Sequence, residues 1–148
     1  MNIINEMKVN FPAKSINESF ARTAVSAFVM QTDPTISELA DIKTAVSEAV
    51  TNCIVHGYEG GNGTVYIHGI LYDNGKIVLK IKDKGVGIEN IKQAMEPMFT
   101  TAGGERAGLG FAVMQSFTDK MSVKSVVGKG TTVTLEKSIL RYGALNGQ

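Results

Sequence analysis

Three polar side chains spaced four residues apart, Glu48, Asn52 and His56, lie in the segment Glu48-Ala49-Val50-Thr51-Asn52-Cys53-Ile54-Val55-His56-Gly57. On an α-helix each four-residue step rises about 6 Å and returns to the same face, so the three form one polar line. The amide oxygen of Asn52 is a hard ligand suited to Mg²⁺. A carboxylate one turn away, Glu48, can orient a hydroxyl or accept its proton. In isolation such a pattern is more often a solvated stripe opposite an apolar one. A second group, Asp83-Lys84-Gly85-Val86-Gly87, offers a carboxylate that could accept from an exocyclic amine, and Gly85 and Gly87 let backbone approach a flat base. By itself this spacing is as often a tight turn. A third, Gly103-Gly104-Glu105-Arg106-Ala107-Gly108-Leu109-Gly110, leads into a helical run. Free amides at a helix start suit a phosphate; the segment could equally be a closing lid or a plain surface loop.

Periodicity and turn chemistry identify the elements that must position these groups. Met7 to Phe11 alternate apolar and polar, as a half-buried strand does. Ser15-Ile16-Asn17-Glu18 has the form of a capping box, after which Ile16, Phe20, Ala24, Ala27 and Phe28 recur at helical spacing to about Gln31. A second box, Thr35-Ile36-Ser37-Glu38, opens a longer helix carrying Ile36, Leu39, Val46, Val50 and Cys53, and with them Glu48 and Asn52; Gly57 ends it. Thr64 to Leu71 and Lys76 to Lys82 predict a hairpin about Asp73-Asn74-Gly75, which leaves Asp83 at a strand end. Thr100 to Gly110 reads as a loop, Phe111 to Thr118 as a helix, and Ser122 to Val127 with Thr131 to Glu136 as a closing hairpin. The order β-α-α-β-β-α-β-β lacks the regular alternation of a doubly wound sheet. It predicts an α/β two-layer sandwich, with a mixed, mostly antiparallel sheet and helices on one face.

The 148 residues are enough for one domain with its own core, expected over residues 1–140, with 141–148 as a flexible tail. Hydrophobic residues at 43% and charged residues at 20% fit a globular chain rather than a disordered one. A net charge of +1 with dispersed cations provides no footprint for nucleic acid or an anionic membrane, and no apolar run is long enough to span a bilayer. The expected location is the cytoplasm. A lone cysteine, Cys53, cannot form an internal disulfide and reads as core packing. Neither a P-loop nor the dinucleotide fingerprint is present, since Asn90 stands where the latter needs its third glycine.

Taken in order, Glu48-x-x-x-Asn52-x-x-x-His56-Gly57, Asp83-x-Gly85-x-Gly87, the glycine-rich run to Gly110, and Gly130-Thr131-Thr132 resemble the ATPase and kinase superfamily of DNA gyrase, histidine kinases and mismatch-repair ATPases. The likeness covers nearly the whole chain. Its small size, Glu18-Ser-Phe-Ala-Arg22 and Pro97-Met-Phe-Thr-Thr101 narrow it to the sporulation anti-sigma F factors, a family of serine kinases. The resemblance implies a Bergerat-type ATP site in which Asn52 binds Mg²⁺, Glu48 is the general base, and Asp83 reads adenine with support from Thr131. It implies that Gly85, Gly87, Gly108, Leu109 and Gly110 shape the pocket and phosphate cradle, with Thr100, Thr101 and Arg106 in a lid near the phosphates. Ala102-Gly103-Gly104 departs from relatives, which often carry charged residues there.

Further implications are a homodimer, a sigma factor held inactive, and an anti-anti-sigma factor phosphorylated on serine. Glu18 and Arg22, exposed on the first helix, resemble the partner-binding surface; the plain alternative is a surface ion pair. A serine hydroxyl needs a base where histidine does not, so Glu48 beside the metal distinguishes serine transfer from histidine transfer. Alternative readings are a general-stress-type anti-sigma kinase, an ATP-responsive binding module without kinase activity, and a detached sensor-kinase domain.

Overall fold

The computed structural model of the chain describes residues 1–96 and 104–139, with side chains in the first turns of the last helix described from Leu109 onward. Five strands form one sheet: β1 (Ile3–Pro12), β2 (Thr64–Tyr72), β3 (Lys76–Asp83), β4 (Lys120–Val126) and β5 (Gly130–Ser138), in the spatial order β1-β2-β3-β5-β4. Every pairing is antiparallel, which corrects the expectation of a mixed sheet for the described residues. The connections explain why. Between β1 and β2 the chain passes through two helices, α1 (Ile16–Val29) and α2 (Ile36–Asn52), and a helix pair returns it to the end it left. Between β3 and β4 it passes through a single turn, α3 (Ile91–Ala94), and one long helix, α4 (Gly104–Ser116). That crossover gives β4 the direction of β3, and β5 lies between them.

The inward alternation of the sheet, Val65, Ile67 and Leu71 on β2, Ile77, Leu79 and Ile81 on β3, Val133 and Leu135 on β5, packs in one core with side chains of all three long helices. From α1 come Ala21, Val25 and Phe28, from α2 Ile42, Val46 and Val50, and from α4 Phe111 and Met114. Burying each large aliphatic or aromatic side chain contributes about 1.5–3 kcal/mol. The α1 stripe lies one position over from the expected one. Ile16 and Phe20 are 77% and 48% exposed, whereas Ala21 and Val25 are fully buried. Phe20 instead meets the edge of Phe11 at 5.7 Å between ring centroids.

The two anticipated capping boxes have different outcomes. At Thr35 both halves form: its hydroxyl accepts from the Glu38 amide at 3.1 Å and the Glu38 carboxylate accepts from the Thr35 amide at 2.8 Å. Ser15 sits in helical backbone geometry and makes no side-chain cap. Its partner Glu18 is drawn away to α2. Helix α2 also does not simply stop at Gly57: residues Cys53–Gly57 form one π turn, closed by the Tyr58 amide donating to the Cys53 carbonyl at 2.9 Å. Such widened turns are rare and are frequent at functional sites. Helix α4 starts at Gly104, seven residues ahead of the expected Phe111, so the run from Gly104 to Gly110 is helical rather than a loop.

Candidate functional site

The end of α2 and the middle of α4 meet closely. Gly110 allows this, because a Cβ there would stand 3.1 Å from Asn52 Oδ1 and 3.2 Å from Glu48 Oε2. Even one methyl there would require Asn52 or Glu48 to give by a few tenths of an ångström. Glu48 and Asn52 are therefore on one side of α2, as their spacing requires. The Asn52 amide nitrogen is buried and has no hydrogen-bond partner among the described residues. Buried polar groups are rarely left unpaired, at a cost of about 1–3 kcal/mol, so this N–H₂ donor is poised for an acceptor such as a phosphate oxygen; a cation would take the oxygen of the same amide.

Across the cleft, Asp83 closes β3 and is only 3% exposed. Its Oδ1 accepts from the Gly85 amide at 2.9 Å. Burial pushes its carboxyl above the ordinary 3.8, opposed by hydrogen bonds from the Gly85 amide, the Cys53 thiol and the Thr131 amide. Cys53 is buried, as its reading as core packing requires, and it also lines the cleft. Burial first, and then the neighbouring Asp83, push its thiol well up. Two glycines make this corner possible. A Cβ on Gly57 would lie 2.6 Å from the Asp83 carboxylate, and Gly85 packs so tightly that its Cβ would overlap the Gly57 carbonyl. The π turn of α2 and the turn after β3 are thus held in direct backbone contact, with the Val86 amide donating to the Gly57 carbonyl at 2.9 Å. The Tyr58 hydroxyl fixes the same corner, donating to the Thr64 carbonyl at 2.6 Å and accepting from the Lys84 amide at 2.7 Å.

Thr131, on β5 opposite Asp83 in the sheet register, is also buried. Its hydroxyl lies 2.7 Å from the hydroxyl of Ser125 on β4, which accepts from the Ile88 amide at 2.7 Å and donates to the Gly130 carbonyl at 3.0 Å. Sequence reasoning missed Ser125. Alternation on the closing hairpin places it beside Thr131, but the hydroxyl's link to the turn after β3 has no sequence signature.

These groups surround one cleft, whose cavity in this conformation is about 60 Å³, so a ligand larger than a few waters needs it to open. Asn52, His56, Asp83, Gly87, Ile88 and Thr131 line it, together with apolar Ala49, Ile81, Phe111 and Val133. The structure thus brings Asn52, Asp83, Gly87 and Thr131 to one cavity, with Gly85 behind Asp83; Glu48 does not line it, but stands with Asn52 against Gly110 and lines a neighbouring groove with Arg22, Lys43, Thr44 and Ser47. Leu109 is half exposed on α4. Thr100 and Thr101, the expected lid residues, lie outside the described residues, as do the side chain of Arg106 and the tail after Ile139; Arg106 and Gly108 fall on the backbone of α4. No group of three His, Cys, Asp or Glu side chains that could hold a metal occurs among the described residues. A magnesium ion here would rest on the Asn52 amide, with remaining positions filled by phosphate and water, which is how Mg²⁺ commonly binds.

Glu18 and Arg22 are less exposed than expected. The Arg22 guanidinium bridges Glu18 at 2.9 Å and Ser47 at 3.2 Å, and the Glu18 carboxylate accepts from Ser47 at 2.6 Å and Thr51 at 3.0 Å. About a third of each charged side chain stays open to solvent. Burial raises the Glu18 carboxyl, but the hydrogen bonds from Ser47 and Thr51 and the charge of Arg22 outweigh it and hold the group below its ordinary 4.5. This network joins α1 to the two residues that immediately precede Glu48 and Asn52.

Among known families, the histidine kinase-like ATPase domain matches residues 11–137. The anti-sigma F factor of Thermoanaerobacter pseudethanolicus is 56% identical over 140 residues, covering 94% of this chain and 97% of the relative. That of Priestia megaterium is 48% identical over 143 residues, covering 95% and 97%. Among solved structures, the RsbU and RsbW domains of Rv1364c from Mycobacterium tuberculosis align over 91% of this chain and 32% of that one, with a TM-score of 0.67 at 19% identity. The histidine kinase domain of a blue-light activated kinase from Erythrobacter litoralis aligns over 88% and 64%, with a TM-score of 0.58 at 15% identity. These distant structures share the fold.

Proposed function

The chain belongs to the anti-sigma F factors within the histidine kinase-like ATPase domain family, and from that premise we propose that it is an ATP-dependent serine protein kinase that also sequesters a sigma factor of sporulation. Its substrate is an anti-anti-sigma factor, phosphorylated on serine, and it acts as a cytoplasmic homodimer of single-domain subunits. One observation carries the nucleotide part of this reading. The unpartnered Asn52 amide and the buried Asp83 carboxylate line the same cavity, with Glu48 held next to Asn52 by the close approach of Gly110.

The roles follow from chemistry. Asp83 accepts from the exocyclic amine of adenine, with Thr131 beside it and Gly85 and Gly87 shaping the turn against the base. Asn52 holds the magnesium ion, which when bound offsets charge on the phosphates. Gly108, Leu109 and Gly110 on α4, with Thr100, Thr101 and Arg106, bound the phosphate end. Glu48 takes the proton of the attacking serine, which otherwise is a poor nucleophile. Glu18 and Arg22 offer partners the solvent-open third of their ion pair, close to the catalytic turn.

The test is transfer of labelled phosphate from ATP to the anti-anti-sigma protein of the same genome. Acid-stable phosphoserine is expected, with Glu48→Gln lowering the rate about 10²–10⁴-fold, the range for loss of a general base, while ATP binding persists. Undiminished transfer by the variant removes Glu48 from catalysis. ATP-dependent partner binding without any transfer identifies a binding module instead.

A further inference from the structure

The serine hydroxyl of Ser125 sits at the centre of three contacts, and only one arrangement of protons satisfies all of them. A serine hydroxyl has one proton to give and two lone pairs to receive. The Ile88 amide at 2.7 Å can only donate, and the Gly130 carbonyl at 3.0 Å can only accept. Ser125 therefore spends its proton on Gly130, and its remaining lone pair must take the proton of Thr131, 2.7 Å away. The consequence falls on Thr131: with its proton directed at Ser125, its oxygen presents only lone pairs to the cleft it shares with Asp83. The Asp83 carboxylate, which accepts from the Gly85 amide, likewise presents acceptors.

We propose that Ser125 is a specificity-determining residue of the nucleotide site, which by fixing the direction of the Thr131 hydroxyl makes the base pocket accept amines and refuse carbonyls. Adenine carries an amine at the position where guanine carries the acceptor O6. An all-acceptor wall bonds to the first and repels the second. This is discrimination built on unpaired polar groups, the kind that yields large ratios. Ser125 is a positioning residue: it lines no part of the cleft itself and acts through Thr131. The inference rests on the ATP-binding reading above and deepens it from a nucleotide to a base.

Displacement of a bound fluorescent ATP analogue by Mg-ATP and Mg-GTP, each up to millimolar concentration, tests it in wild type, Ser125→Ala, Ser125→Thr, Thr131→Val and the Ser125→Ala/Thr131→Val double variant. Wild type should favour ATP strongly. In Ser125→Ala the freed Thr131 hydroxyl can turn and donate to O6, so the ATP-to-GTP preference should fall about tenfold, the equivalent of one hydrogen bond gained by the wrong base. Ser125→Thr keeps the hydroxyl and should keep the preference. In the Thr131→Val background Ser125→Ala should change the preference no further, because the group it acts through is gone. Equal weakening of both nucleotides in Ser125→Ala, no displacement by GTP from that variant, or the same shift with and without Thr131 would each overturn the proposal. Wild type that binds the ATP analogue but prefers neither base also overturns it, whereas wild type that binds no ATP defeats the nucleotide reading itself.

Discussion

The two ends of the cleft are built on opposite plans. At the base end the carboxylate of Asp83 and the hydroxyls of Ser125 and Thr131 have protein partners. Asp83 is held by the Gly85 amide, and the Ser125 hydroxyl joins Ile88, Gly130 and Thr131. The glycine contact between Gly57 and Gly85 locks the turn that carries them. At the phosphate end the Asn52 amide nitrogen is buried with no partner among the described residues, and Glu48 stands beside it against Gly110. One end is complete before a ligand arrives. The other is completed by the ligand, and that is where binding energy can be directed into positioning for a reaction. Substitutions at the two ends should therefore fail differently: at the base end in affinity, at the phosphate end in turnover and in dependence on the metal.

The largest effect is expected at Asn52. Asn52→Ala removes the only amide the cleft offers a cation among its described lining, and should cut phosphoryl transfer about 100-fold or more, since a positioned metal contributes several kcal/mol to such reactions. The informative readout is calorimetric: wild type should bind ATP more tightly with Mg²⁺ than without, and the variant should bind it equally in both. A variant that keeps the full magnesium increment shows that the ion rests elsewhere and that the contrast between the ends is wrong.

A smaller effect, of a different kind, is expected at Asp83. Asp83→Asn replaces a charged acceptor with an amide that can turn its donor to the base, and should weaken ATP about 10–100-fold with or without magnesium, the range for a hydrogen bond to a charged group. Its raised pKa adds a pH signature. Adenine binding needs the carboxylate, so affinity should fall as the pH drops through that raised value, somewhere above 3.8. Stability should respond the other way. Between 3.8 and the folded value the native state holds more protons at this site than the unfolded chain does, so this group's contribution to stability decreases as pH rises through that window. Thermal unfolding and ATP titration over the same pH series, each compared with Asp83→Asn, check both slopes. Parallel slopes would mean that Asp83 is structural.

How much of this was readable beforehand depended on whether the physics was local. The carboxylate at the end of β3, the amide and acid on one side of α2, and the Thr35 box are set by spacing within one element, and the structure agrees with all three. Glycine propensity argues against helix and puts the start of α4 at Phe111, whereas the helix begins at Gly104 and at Gly110 the missing side chain lets α4 sit against Glu48 and Asn52. Glu18 was assigned to a cap by its spacing from Ser15. Three donors outcompete a single backbone amide; Arg22, four residues on, is legible as an ion pair, but Ser47 and Thr51 on α2 are distant in sequence and no local pattern reveals them. Ser125 was missed for the same reason: its partners are brought together by the fold of the β4–β5 hairpin over the turn after β3.

The smallest predicted effect asks whether the two ends are separable from general stability. Thr35→Ala removes a formed cap from the helix that carries both Glu48 and Asn52, and should cost about 1 kcal/mol. For a chain of this size that lowers Tm by about 2–4 °C. Ser15→Ala removes a hydroxyl that caps nothing, and should change stability by no more than about 0.5 kcal/mol. The cap at Thr35 lies more than three helical turns from Glu48, so at temperatures where the variant is fully folded its ATP affinity, magnesium increment and transfer rate should match wild type. If Thr35→Ala instead reproduces the loss of magnesium dependence seen in Asn52→Ala, the open phosphate end reflects a loosely held α2 terminus rather than a site awaiting its ligand. Unfolding curves and nucleotide titrations on the two variants decide between these.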